Sequence, residues 1–361
     1  MLNLFTPQVP LGRCHPNFVA YLQRPQSQRD VLLGWSNGFV DRDGKFVVEF
    51  QTTFNSGFWE LYVFACLKQM GFDVDFSVRT PDFVVCRNGE PLFCIEATTA
   101  SNAAHATEEW DRDWLAAPRS GIRDIVNEAT VRFANAVKAK HEKYLDTYAR
   151  IPEIGKLPFV LAVSAFDQPF FFFEGFHPAL RVLYGIDTLD VSADGFVPKP
   201  MLSITKRPTG AIVPLGCFRE PRMPEISAVM FSNVATASKV TAVSADDPAL
   251  EVQFWVRTME GDGSTQSRNA VPKSDYHEEL LDGLHFFHNP KAHYHFPPER
   301  FRFNGVAQWG FDSTRGIPLR IGSPRILLMR TSAGVVTKQR PRLTRDSARP
   351  DGTASYNGPV T

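Results

Sequence analysis

The spacing of hydrophobic residues changes abruptly near residue 71. Residues 55–70 have a helical pattern, with Asn55 or Ser56 able to cap its start and Gly71 directly after its end. The short segments that follow have the apolar character of strands. They lie at 72–78, 82–87 and 91–98. Because Asn88-Gly89 between the last two favours a hairpin, we predict one helix followed by three strands.

A second amphipathic helix is predicted at 121–148. Its apolar residues fall on one stripe, which consists of Ile122, Ile125, Val126, Ala129, Phe133, Ala136, Val137 and Tyr144. The run from Leu157 to Phe166 is almost entirely apolar, as expected of a strand that is buried on both faces. This order of elements predicts an α/β fold in which a mixed β-sheet is flanked by helices.

Four regions are predicted along the chain. Residues 1–50 form an N-terminal extension of loops, with short strands at 31–35 and 46–50. The α/β core spans 51–235 and includes an insertion at 166–225, a short helix near 178–184 and a buried strand at 226–232. A β-rich elaboration covers 236–337, with outer strands at 252–257 and 302–309. The polar segment 338–361 is expected to be disordered.

Composition narrows the function only slightly. The 361 residues are 43% hydrophobic and 22% charged, and the formal net charge is zero, so no global field attracts nucleic acid or an acidic membrane. The five cysteines form no Cys-x-x-Cys pair, and no apolar run reaches the length of a membrane span. We therefore expect a cytoplasmic protein without a membrane partner.

Three acids stand in unusually apolar surroundings. Glu60 lies within the first predicted helix, Asp82 opens a strand, and Glu96 interrupts the next one. Each alone has an ordinary explanation: a helix-dipole partner, a Pro-Asp turn and a solvent-facing strand residue, respectively. Because an unpaired buried carboxylate is costly, three of them in adjacent core elements favour convergence on a hard cation such as Mg²⁺.

The hairpin geometry imposes a condition on this site. Side chains alternate along a strand, so Glu96 shares a face with Cys94 and Thr98. A three-residue loop at Asn88–Glu90 would pair Arg87 with Pro91 and set Asp82 opposite Glu96, on the same face. A strict two-residue turn would place the two acids on opposite faces. The metal hypothesis therefore requires the longer loop or a β-bulge.

Pro81-Asp82, thirteen further residues and Glu96-Ala97-Thr98, preceded by a helix that carries Glu60, resemble the PD-(D/E)XK, restriction-endonuclease-like nuclease superfamily. The resemblance covers roughly residues 50–165, and segments at 155–163 and 288–292 are similar to an uncharacterised bacterial branch. It implies a restriction-endonuclease-like sheet and Mg²⁺ or Mn²⁺ held by Glu60, Asp82, Glu96 and the Ala97 carbonyl. It also implies hydrolysis of phosphodiester bonds in DNA or RNA, of which DNA is the more expected partner, and a homodimer is compatible with it.

The sequence departs from the family at Thr98, where the superfamily has a catalytic lysine. Lys140 lies on the otherwise apolar stripe of the second helix, whereas Lys138 and Lys143 fall off that stripe. Lys140 can replace the missing lysine, or its stem can cover the core while the ammonium reaches water. The first interpretation predicts catalysis by Asp82, Glu96 and Lys140. The second predicts an inactive nuclease-fold module that binds nucleic acid or is structural.

Histidines form a second cluster, at His285, His288, His293 and His295. Zinc sites use histidine pairs at such spacings, but the segment from Gly283 to Pro298 is predicted to be a loop, and aromatic packing is the favoured interpretation. The chain contains no phosphate-binding P-loop, no Gly-x-Gly-x-x-Gly and no Gly-x-Ser-x-Gly motif.

Overall fold

The computed structural model describes residues 2–100, 121–166, 169–192, 195–206 and 209–336. The tail predicted at 338–361 lies outside these ranges. The helices of the described part are α1 (Pro16–Leu22), α2 (Gln26–Trp35), α3 (Phe46–Thr52), α4 (Phe54–Gln69), α5 (Ile122–Asp146), α6 (His177–Ala179) and α7 (Ala237–Val243). No helix within the described ranges is long and apolar enough to cross a lipid bilayer.

The strands fall into one large sheet and several small ones. They are β1 (Asp73–Asp75), β2 (Phe83–Arg87), β3 (Glu90–Thr99), β4 (Phe159–Ser164), β5 (Ile186–Asp187), β6 (Val191–Ser192), β7 (Gly195–Phe196), β8 (Lys199–Pro200), β9 (Ser203–Lys206), β10 (Ala211–Pro214), β11 (Ile226–Phe231), β12 (Leu250–Met259), β13 (Thr265–Pro272), β14 (Leu284–His288), β15 (Val306–Asp312), β16 (Ile317–Gly322) and β17 (Ile326–Val336). The large sheet has the order β1-β2-β3-β4-β11-β14-β15-β16.

This sheet is mixed and has helices on both faces. β1, β2 and β3 form an antiparallel meander, whereas β3, β4 and β11 run parallel to one another. Phe83 and Ile95 face the core that contains α4, whereas Val84 and Cys94 face the core that contains α5. The prediction of a mixed sheet flanked by helices is confirmed.

The N-terminal extension is helical, so the predicted strands at 31–35 and 46–50 are wrong. The first segment belongs to α2, where Gln28, Leu32 and Trp35 are buried at helical spacing. The second belongs to α3, which buries Phe46 and Phe50. Short runs rich in Val and Leu fit both the two-residue period of a strand and the 3.6-residue period of a helix. Packing against α4 favours the helix in both segments.

The large sheet does not end at residue 235, where we placed the boundary of the core. β14, β15 and β16 extend it as far as Gly322, so β15 is part of the main sheet and not an outer strand of a separate elaboration. The prediction of a loop from Gly283 to Pro298 is also wrong for β14, all five residues of which are buried. The polar residues His285 and His288 made this fully buried strand look like a loop.

A buried ion cluster joins α7 to the second sheet, β13-β12-β17. The carboxylate of Glu278 accepts hydrogen bonds from Nε and Nη2 of Arg330, at 2.8 and 2.9 Å, and from the Tyr276 hydroxyl at 2.6 Å. Lys239 on α7 also pairs with Glu278, and its Nζ donates to the carbonyls of Glu279 and Asp282. The side chains of Glu278, Lys239 and Arg330 are at most 1% exposed.

Candidate functional site

A β-bulge places Asp82 beside Glu96. The turn at Asn88-Gly89 has two residues, both with positive φ, and pairs Arg87 with Glu90. The register then shifts between Val85 and Cys86, which leaves Leu92 as the extra residue, and Phe83 pairs with Ile95. Asp82 precedes Phe83 and therefore lies across from Glu96. The three-residue loop does not form. The bulge, which was the alternative, instead places the two acids on the same face of the sheet.

Glu96 is buried and bound by three donors. Its side chain is 3% exposed, and Oε1 accepts hydrogen bonds from Nζ of Lys140 at 2.6 Å and from Nζ of Lys143 at 2.8 Å. Oε2 accepts from the Tyr148 hydroxyl at 2.8 Å. α5 thus brings Lys140 to the acid that lies two residues before Thr98. Lys143 is exposed, as its position off the apolar stripe predicts, yet its ammonium group still reaches the same oxygen of Glu96.

These donors keep Glu96 ionised. Burial acts to raise the pKa of its carboxyl group, but the nearby ammonium groups of Lys140 and Lys143 outweigh burial and lower that pKa. Burial and the Glu96 charge raise the pKa of Tyr148, so its hydroxyl stays protonated and donates. Lys140 is 23% exposed and Lys143 45% exposed, so the site opens to solvent along the lysine side.

Asp82 is held by the backbone of the neighbouring strand. Its Oδ2 accepts a hydrogen bond from the amide of Ala97 at 2.7 Å. Burial, followed by the negative charge of Glu96, raises its pKa to about 6, although the Ala97 amide opposes that shift. A carboxylate with this pKa gains stability from any added positive charge, which is the property expected of a cation ligand.

Glu60 completes the group of acids from α4. Burial and then the charge of Asp82 raise its pKa well above the usual value, and Arg42 opposes the shift. The guanidinium of Arg42 also donates to the carbonyls of Pro81 and Asp82, both at 3.2 Å. Arg42 therefore fixes the chain at Asp82 and supplies a positive charge near Glu60.

The raised pKa of Asp82 predicts that its ionisation lowers the free energy of unfolding as pH rises. Its folded pKa of about 6 exceeds the ordinary 3.8, so the native state binds the extra proton and wild-type stability falls as pH rises between these values. In EDTA at pH 7, we expect Asp82→Asn to raise the free energy of unfolding by about 1–3 kcal/mol. Urea unfolding of both proteins from pH 4 to 8 measures this difference in the free energy of unfolding. A gain that does not shrink toward pH 4 would contradict the assignment.

Few protein side chains at this site could bind a metal ion. Within the described residues, no group of three or more histidine, cysteine, aspartate or glutamate side chains is arranged to hold a metal ion. Mg²⁺, however, often takes one or two carboxylates and completes its shell with water and substrate phosphate. Asp82 and Glu96, adjacent on one face, fit that pattern, and the raised pKa values of Asp82 and Glu60 indicate a need for positive charge.

The predicted histidine cluster divides into buried and exposed parts. His285 Nδ1 accepts from Trp309 Nε1 at 3.0 Å, and His288 Nε2 lies 2.8 Å from Gln308 Oε1. Burial lowers the pKa of His285 to about 3, so the ring is neutral. His293 and His295 lie beyond β14 and are exposed. These contacts support aromatic packing for His285 and His288.

Sequence reasoning missed Lys143, Tyr148 and Arg42. Lys143 follows Lys140 by three residues, which is one helical turn, so the spacing itself was an available signal. Tyr148 lies just beyond α5, and Arg42 lies in the extension that was predicted to be loops and strands. Comparison with family models, curated proteins and solved structures gave no match.

Proposed function

We propose that the chain is a metal-dependent nuclease that hydrolyses phosphodiester bonds in DNA or RNA, with a restriction-endonuclease-like core. One observation carries the proposal: the bulged hairpin sets Asp82 against Glu96, and α5 delivers Lys140 to Glu96 at 2.6 Å. This arrangement supplies acids and a lysine at one place, although Thr98 occupies the usual lysine position.

Asp82 and Glu96 would hold Mg²⁺ or Mn²⁺, with Glu60 and the Ala97 carbonyl as further donors. The bound ion would supply positive charge to the attacking water and to the phosphate. Tyr148 orients Glu96, and the Ala97 amide orients Asp82, so both acids are held in place before substrate arrives. Lys140 and Lys143 hold positive charge on the solvent-facing side, where a phosphate anion would approach.

The direct test is incubation of purified protein with single- and double-stranded DNA and RNA, in EDTA, Mg²⁺ or Mn²⁺. Asp82→Asn protein purified in parallel controls for contaminating nucleases. Metal-dependent cleavage by wild-type protein that the variant lacks is the expected result. If no substrate is cleaved with either metal, or if both proteins cleave equally, the nuclease proposal is wrong.

Lys140 and Lys143 are expected to differ in role. We expect Lys140→Ala to lower kcat on the order of 10²-fold, because the less exposed lysine is fixed at the acid pair. Lys143→Ala should mainly raise KM and reduce the slope of log affinity against log salt by about 1, as loss of one phosphate contact does. Lys138→Ala, on the exposed face of α5, should change neither parameter. Equal effects of Lys138→Ala and Lys140→Ala would refute the assignment.

The second candidate is a nuclease-fold module that binds nucleic acid, or serves structurally, without cutting it. Its support is specific: both oxygens of Glu96 already accept hydrogen bonds, and the two lysines bring two positive charges to one carboxylate. Retained binding of nucleic acid in EDTA, together with no cleavage in any metal, would favour this candidate.

A further inference from the structure

One oxygen of Glu96 accepts hydrogen bonds from two ammonium groups. Its Oε1 lies 2.6 Å from Nζ of Lys140 and 2.8 Å from Nζ of Lys143. A carboxylate oxygen has about two acceptor positions, so the two lysines occupy those of Oε1. Like charges that share one partner also repel each other. A cation could therefore bind Oε1 only if one of the two lysines left it.

The other oxygen of Glu96 is held from the protein interior. The hydroxyl of Tyr148 donates to Oε2 at 2.8 Å, and Tyr148 is fully buried. Lys140 and Lys143 are both partly exposed. Oε1 is therefore the oxygen on the solvent-facing side, and it is the one for which an incoming cation competes with the lysines.

The charges of the two acids and the two lysines balance one another. Asp82 has a pKa of about 6 and is mostly ionised at pH 7, and the lowered pKa of Glu96 keeps that carboxyl ionised as well. Lys140 and Lys143 supply two positive charges against these two negative ones. A divalent cation added beside both lysines would leave two excess positive charges in a largely buried space, which is costly. The departure of one lysine removes half of that excess.

Lys143 is the lysine that can leave. Its side chain is 45% exposed, compared with 23% for Lys140. Lys143 lies in the last turn of α5, so its flexible stem can turn toward water without disturbing the packing of the helix. A further contact of its Nζ, 5.1 Å from the centroid of the Tyr148 ring, is weak. Lys140 continues the apolar stripe and stays beside Glu96.

We infer that Lys143 is a phosphate-binding residue that changes partners when a divalent cation binds. Without the cation, its ammonium group neutralises Glu96. With a cation on Asp82 and Glu96, Lys143 leaves Oε1 and binds a phosphate of the nucleic-acid backbone, while Lys140 and Tyr148 keep Glu96 in place. The inference rests on the proposed function. Because one ammonium group cannot serve both partners, the cation and the nucleic acid each strengthen the binding of the other.

The first test measures cation binding without nucleic acid. Titration calorimetry with Mn²⁺ would compare wild-type protein with Lys143→Ala and with Lys138→Ala, the matched control, because Lys138 is exposed on the same helix and pairs only weakly with Glu142. Lys143→Ala should bind Mn²⁺ about 5- to 10-fold more tightly than wild type, since the competitor for Glu96 is gone. Lys138→Ala should match wild type, and Asp82→Asn should lose this binding, which locates the ion.

The second test follows the ammonium group itself, because loss of any nearby positive charge would also tighten cation binding. Lysines would be acetylated with an N-hydroxysuccinimide ester in EDTA and in saturating Mn²⁺, and mass spectrometry would give the rate at each residue. The rate at Lys143 should rise about 3-fold or more with Mn²⁺, as expected when a partly exposed ion pair breaks. Lys138 is the internal reference and should not respond. In Glu96→Gln protein, Lys143 should react at the faster rate with or without Mn²⁺.

Three results would overturn the inference: no binding of Mn²⁺ to wild-type protein, a labelling rate at Lys143 that bound Mn²⁺ does not change, or Mn²⁺ binding to Lys143→Ala no tighter than to Lys138→Ala. If Mn²⁺ supports cleavage while the labelling of Lys143 stays constant, the proposed function stands and the exchange of partners does not. Failure of the nuclease proposal looks different, because Mn²⁺ would still accelerate the labelling of Lys143 while no nucleic acid is cleaved.

Discussion

Replacing Glu278 with glutamine is expected to lower the free energy of unfolding by about 3–5 kcal/mol, because it removes the carboxylate that the two cations of a buried ion cluster share. Arg330 cannot release its proton, and Lys239 loses the carboxylate that opposes its desolvation. Urea unfolding at pH 7 provides the measurement. The side chain of neighbouring Glu279 makes no comparable contact in the described part of the chain, so Glu279→Gln should change stability by less than about 0.5 kcal/mol.

The pH dependence of this effect has a definite sign. Burial acts to raise the Glu278 pKa, but Arg330 and Lys239 outweigh it and hold the pKa at about 2, below the ordinary 4.5. A lowered carboxyl pKa contributes stability above the unfolded value and loses it as pH falls toward the folded one. The difference between wild type and Glu278→Gln should therefore narrow below pH 4.5. A constant difference down to pH 3 would show that charge is not its origin.

In the proposed nuclease reaction, replacing Glu96 with glutamine is expected to lower the cleavage rate on the order of 10²–10³-fold under single-turnover conditions with saturating metal. The substitution keeps the shape of the side chain but removes its negative charge. It also releases the ammonium groups of Lys140 and Lys143 from the oxygen they share. The released lysines can reach water, so we expect the fold to tolerate the change better than the reaction does.

The matched control is Glu142→Gln, a substitution of the same type on the exposed surface of α5, where Glu142 pairs weakly with Lys138. It should leave the cleavage rate within about two-fold of wild type, in line with the small value of exposed ion pairs. A Glu96→Gln protein that cleaves as fast as the Glu142→Gln protein would remove Glu96 from the chemistry.

The region from α4 to β4 could be predicted because local patterns and tertiary structure agree there. Gly71 ends α4 with φ 75°, as its position after the helical pattern implied. The stripe on α5 is buried along most of its length, and β4 is buried on both faces. In each of these elements the spacing of apolar residues fits only one type of secondary structure.

The remainder depends on contacts that a local pattern does not contain. The bulge at Leu92 adds one residue to a strand without changing its composition. The sequence therefore allows a longer loop, a strict two-residue turn or a bulge and does not distinguish among them. β14 resembles a loop because His285 and His288 are polar, yet Trp309 and Gln308 on β15 each form a hydrogen bond with one nitrogen of these rings. Arg42 contacts the Asp82 backbone from the segment between α2 and α3, both of which pack against α4.

The order of strands in the large sheet has a consequence for how the chain is made. β11 follows β4 in the sheet, but its other neighbour, β14, is translated more than fifty residues later. Until then β11, whose six residues are all buried in the finished protein, presents an open apolar edge to other nascent chains. A fragment ending at residue 235 would keep Asp82, Glu96 and Lys140 but expose that edge permanently. We expect such a fragment to aggregate during expression.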